Sequence, residues 1–141
     1  MSILFQTDDG NELWWPASAI ARLFRDQLRS IGRHLLGMES GLGPIEADEI
    51  AVDRRAFLAF TDAFHAYLGK AGEHTHSMVG PAFAVTLVLA HRLGRPIGDD
   101  PVSQRYLEQA RIIHGPVGEW REARERRRCE VPDGGRAHAG S

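Results

Sequence analysis

Histidines and carboxylates set close together are the raw material of acid–base and metal chemistry, and this 141-residue chain has several such groupings. Within residues 72–81, GEHTHSMVGP, His74 and His76 stand two apart beside Glu73. Residues two apart on a helix point about 200° from one another, so a shared metal needs extended or turned backbone there. Zinc takes three or four protein ligands, and no HExxH, CxxC or third near ligand accompanies the pair. The pair therefore reads as the polar entry to an apolar helix, and no metal or other cofactor is expected.

The segment PIEADE crowds Glu46, Asp48 and Glu49 into four residues. Carboxylates this close raise one another's pKa and can act as acid or base or take a hard cation. The spacing is not that of an EF-hand, and the plainer role is hydrogen bonding to backbone ahead of a strand. His65 follows Asp62 by three residues, a helical spacing at which a carboxylate can orient a general base. No GxSxG or comparable nucleophile motif goes with it. His91 ends the most apolar segment, where an imidazolium would meet the negative end of a helix dipole. If the chain is an enzyme, Glu46, Asp48, His65 and His91 are its acid and base candidates.

A second kind of site is a contact surface. Trp14 and Trp15 are adjacent, so on a strand one ring faces the core and the other faces out. Tryptophan is a frequent interface anchor, and Trp14, Trp15 and Glu49 are the candidate partner- or ligand-binding residues. In REARERRRC, glutamates and arginines alternate at spacings that suit ion pairs along a helix, so this segment reads as a solvated helix and not as a nucleic-acid arm.

These side chains need elements to hold them. Residues 3–15, ILFQTDDGNELWW, flank an Asp-Asp-Gly-Asn turn with β-favouring residues, which predicts a hairpin ending at Pro16. A helix capped by Ser18 follows, with Ile20, Phe24, Leu28, Ile31 and Leu35 inward and Arg22, Arg25, Arg29 and Arg33 on a solvated basic face. Gly37 closes it, and residues 37–49 read as a long loop. Ile50 to Val52 is a candidate third strand. Asp53 then caps a helix with Phe57, Phe60, Phe64 and Leu68 inward and a flank of alanines that allows packing on two sides. A central helix from Ser77 or Pro81 to Leu93 is apolar nearly all round. Asp99 or Asp100 caps a last helix bearing Val102, Tyr106, Ala110 and Ile113 and ending at Gly115.

The expected fold is α+β: an N-terminal β-hairpin, extended to three strands if Ile50 to Val52 joins, packed against three to four helices. Residues 1–115 form one compact domain, 116–130 a charged helical extension and 131–141 a disordered tail.

Composition narrows the class. Hydrophobic residues at 43% and charged residues at 26% are ordinary for a globular domain. A net charge of −2 gives no overall attraction for nucleic acid or an anionic membrane, and neither is expected as a partner. The single cysteine, Cys129, fits a reducing cytoplasm. The N-terminus lacks a basic region and meets two aspartates early, so no signal peptide is expected. The run from Met78 to Ala90 is too short to span a bilayer.

Together ELWWPASAIARLF, SGLGPIEADEIAVDRRAF and VLAHRLGRP resemble a group of small actinobacterial proteins of uncharacterised function, over roughly residues 3–97. The resemblance implies a cytoplasmic single domain and no particular activity. The function expected is a binding or accessory module acting through protein contacts, by self-association as a homodimer or with another protein. Its rivals are a small cofactor-free isomerase, cyclase or lyase acting on a secondary metabolite, which would take a small-molecule ligand, and an immunity protein that neutralises a toxin.

Overall fold

The computed structural model of the chain describes residues 1–114. The charged segment 116–130 and the tail 131–141 lie outside the described residues. The architecture is α+β, a small mixed sheet packed against four helices.

The hairpin forms where the turn residues place it: β1 (Leu4–Gln6) pairs antiparallel with β2 (Glu12–Trp14). The turn is tied by the Thr7 amide on the Asn11 carbonyl at 3.1 Å and by the Thr7 hydroxyl on the Asp9 carboxylate. That hydroxyl, followed by the Asn11 amide, draws the Asp9 carboxyl below its ordinary value.

The segment read as a loop is instead a second hairpin. β3 (Leu42–Glu46) pairs antiparallel with β4 (Glu49–Val52), and β4 runs parallel to β1, giving the order β2-β1-β4-β3. Gly43 and Pro44 obscure this strand in the sequence, and they are tolerable because β3 is an edge, where a missing amide costs no ladder bond. The connecting turn carries Ala47 and Asp48 at φ 52° and 61°, the paired left-handed residues of a tight hairpin turn.

Helix α1 (Ser18–Ile31) buries Ala21, Phe24, Leu28 and Ile31, while Ile20, assigned inward from sequence, is exposed. The inward stripe is thus narrower than the spacing suggested. Ser18 does not cap the helix; its amide donates to the Met1 carbonyl at 2.9 Å, so the N-terminal strand supplies the acceptor. The helix ends in a π-helical turn, Gly32–Leu36, closed by left-handed Gly37. A side chain at Gly32 would collide with the Met38 carbonyl and press on Phe60.

Asp53 caps α2 (Arg54–Gly69), its carboxylate accepting from the Ala56 amide at 3.0 Å, and Phe57, Phe60, Phe64 and Leu68 are all buried. Its alanine flank is only half covered: Ala56 and Ala63 are partly buried, Ala59 and Ala66 exposed. Helix α3 (Glu73–Arg92) starts before the proposed Ser77 and carries Pro81 inside it, on the exposed side. From Gly80 to Ala90 it is almost wholly buried, whereas Met78 is 82% exposed and stands outside the core. Helix α4 (Pro101–His114) follows. The aromatic core runs Phe60–Phe64–Phe83–Tyr106 in edge-to-face contacts at 4.9–5.9 Å.

Candidate functional site

His74 and His76 part company on α3, as the 200° separation requires. His74 is exposed. His76 is buried, with Nδ1 2.6 Å from the Tyr106 hydroxyl and Nε2 3.0 Å from the Leu68 carbonyl, so it ties the end of α2 to α4. The rings of His76 and Tyr106 stack at 12°, and burial raises the Tyr106 phenol. Gly80 makes the close approach possible, since a Cβ there would lie 2.5 Å from the tyrosine ring. Among the described residues no three His, Cys, Asp or Glu side chains converge as a metal site would require.

His65 does not pair with Asp62. Its Nε2 lies 2.5 Å from Oδ2 of Asp100, thirty-five residues on, while Asp62 accepts from Arg95 at 2.5 Å. Both pairs line a cleft of about 210 Å³ beside Leu87 and Ser103. Asp100 is also the cap of α4, accepting from the Ser103 amide at 3.0 Å. Desolvation would raise this carboxyl, but the Ser103 amide, the His65 ring and the Ser103 hydroxyl outweigh it and lower it to about 2. The order of these contacts matters chemically. Asp100 sits between His65 and Ser103, whereas nucleophilic catalysis needs the histidine between carboxylate and hydroxyl. The cluster ties α2 to the start of α4 and leaves the Ser103 hydroxyl donating its hydrogen bond to the carboxylate instead of to a base.

The other acid and base candidates are elsewhere. Glu46 and Glu49 are cross-strand partners at the end of the β3–β4 hairpin, and Asp48 is in its turn, where its carbonyl takes the Leu4 amide at 3.0 Å. Gln6 Nε2 donates to Glu49 at 2.8 Å. With Asp8, Glu46 and Glu49 make an acidic cleft of about 260 Å³ beside Gln6 and Ala51. His91 is half-buried in the last turn of α3, the position assigned to it. His65 and Glu46 thus line two separate clefts, with His91 in neither.

Of the two tryptophans, Trp14 packs on the core, 5.2 Å from Phe5 and 5.5 Å from Phe24 between ring centres. Trp15 is 63% exposed. On the first turns of α1, Ile20 is 49% and Leu23 54% exposed, and Met1, bonded to Ser18, is exposed too. These are exposed apolar side chains carried by the N-terminus, the segment before α1 and its first turns.

The basic face of α1 is not simply solvated. Arg25 and Arg29 of α1 and Arg33 of the π-helical turn line a groove of about 620 Å³ together with Leu42, Gly43 and Pro44 of β3 and with Met38, Glu39 and Ser40 from the connection between them. Arg25 Nε donates to the Gly43 carbonyl at 2.7 Å and so holds helix and edge strand together. The arginine spacing was visible in the sequence; its facing wall was not, because residues 37–49 did not read as a strand.

The described residues thus define a small mixed-sheet α+β domain with surface clefts of unlike charge and exposed apolar side chains at the start of α1. A model of a family of unknown function, DUF6086, matches residues 1–131, and the chain belongs to that family. Comparisons with curated proteins and with solved structures give no match. Among the described residues no helix is long and apolar enough to cross a membrane.

Proposed function

We propose that the protein is a binding or accessory module that acts through protein contacts, with the surface of Trp15, Ile20 and Leu23 as its contact face and a homodimer as its simplest assembly. The observation that carries this reading is the exposure of Trp15 together with that of Ile20 and Leu23, five and eight residues further along the chain. Large apolar groups exposed in this way are costly in water and are commonly covered by a partner. The lone cysteine supports a cytoplasmic setting, and the dominance of arginine over lysine supports an actinobacterial origin.

The immunity-protein version of this reading draws support from the acidic cleft of Asp8, Glu46 and Glu49, which would face a basic toxin surface. The enzyme reading rests on His65 and its cleft alone, with Asp100 committed to a helix cap. Sedimentation velocity over a range of concentrations tests the proposal. The wild type should show a monomer–dimer equilibrium that Trp15→Ala and Leu23→Glu each shift to monomer, with thermal midpoints that match the wild type at concentrations where it too is monomeric. A wild type that stays monomeric at millimolar concentration would rule out the homodimer.

A further inference from the structure

We propose that the groove between α1 and β3 binds an extended segment of a partner protein in which acidic and apolar residues alternate. One wall is charged and the other apolar. Arg29 and Arg33 are both exposed, and among the described residues neither makes a salt bridge. They stand four residues apart, Arg29 in the last turn of α1 and Arg33 in the π-helical turn that follows, roughly 5–6 Å along the axis. Alternate side chains of an extended chain repeat at about 6.6 Å, so acidic residues at positions i and i+2 meet both guanidinium forks. The residues between them point the other way, onto Leu42 and Pro44 of the facing wall.

The edge strand explains why recognition passes through side chains. Pro44 has no amide to offer, and the Gly43 carbonyl is already taken by Arg25. Simple addition of a strand to β3 is therefore interrupted at this peptide unit, where Arg25 occupies the outward carbonyl, and the charge pattern selects the partner. Among the described residues Glu39 is the one carboxylate lining the groove, and it opposes an anion there.

This site is distinct from the Trp15 face. At about 100° per residue, Leu23 and Ile20 flank the buried stripe of α1 on one side, and Arg25 and Arg29 flank it on the other. The failure of either proposal leaves the other standing.

An array of nine-residue peptides, probed with the full-length chain, tests the inference. The expected result is retention of peptides with acidic residues at alternate positions and apolar residues between them, and loss of retention when glutamine replaces glutamate. By fluorescence anisotropy, the best peptide should bind Arg29→Glu/Arg33→Glu at least about tenfold more weakly and Arg29→Lys/Arg33→Lys at an intermediate level, as fits lost charge-assisted hydrogen bonds. Glu39→Gln should bind it more tightly. Both arginines are exposed, so matching thermal midpoints separate a lost contact from a lost fold. Retention that ignores acid spacing, equal binding by the charge-reversed variant, or complete competition by equimolar inorganic phosphate would overturn the proposal. So would a dimer that dissociates on Arg29→Glu/Arg33→Glu, because the occupant would then be a second copy.

Discussion

Side chains in this protein tie its helices to one another, and two positions make that role measurable. Asp100 caps α4 and holds His65 of α2. Asp100→Ala should cost roughly 1–2 kcal/mol, the usual range for a lost cap, with Asp100→Asn costing less because asparagine also caps. The carboxyl is held at about 2, below its ordinary 3.8. A depressed folded-state value means that the stabilisation is complete above the unfolded carboxylate range and is lost as pH falls through about 4 towards 2. Urea midpoints measured between pH 7 and pH 2 should show the gap between wild type and Asp100→Ala closing at the acid end. Gly80 gives the second measurement. Its Cβ position is 2.5 Å from the Tyr106 ring, which His76 holds in place, so Gly80→Ala should destabilise by roughly 1–3 kcal/mol through overpacking. Thermal melts would register this, and an unchanged melting temperature would mean that α4 moves aside freely.

At the scale of elements, the β3–β4 hairpin carries the difference between expectation and structure. Its turn places Ala47 and Asp48 at positive φ, a conformation that strains a residue with a Cβ but suits asparagine and glycine. Ala47→Asn should therefore stabilise the protein by about 0.5–1 kcal/mol, read from the urea midpoint at unchanged m-value. A loss of stability would show that the Ala47 methyl packs against something the turn needs. The same hairpin gives α1 a second wall to face. Without β3, the arginines of α1 would be an ordinary solvated stripe; with it, they line a groove.

Across the described residues, charges of opposite sign gather in different clefts. Glu46, Glu49 and Asp8 gather on one cleft, Arg25, Arg29 and Arg33 on another, and Pro44 belongs to the rim of both. Self-association through the apolar Trp15 face and binding of an acidic segment in the groove should therefore respond differently to salt. Raising ionic strength from about 0.1 M to 1 M shortens the screening length from about 10 Å to 3 Å. Anisotropy should then show the peptide complex weakening, while sedimentation shows the dimer held or strengthened. A dimer dispersed by salt would instead point to contact between the acidic cleft of each copy and the basic cleft of the other.

The sequence by itself determined the first hairpin, the capped α2 with its four inward aromatic and aliphatic residues, the apolar α3 and the start of α4, because each rests on local periodicity and capping that neighbouring residues express. It also determined that two histidines two apart on a helix could not meet. The pairing of His65 with Asp100 across thirty-five residues, the burial of His76 against Tyr106 and the strand character of Leu42–Glu46 were decided by tertiary structure alone. Each of these depends on a partner distant in sequence: a helix packed alongside, or a strand that accepts an edge despite its glycine and proline. The groove is the clearest instance, since its charge is written in α1 and its shape comes only when β3 closes against it.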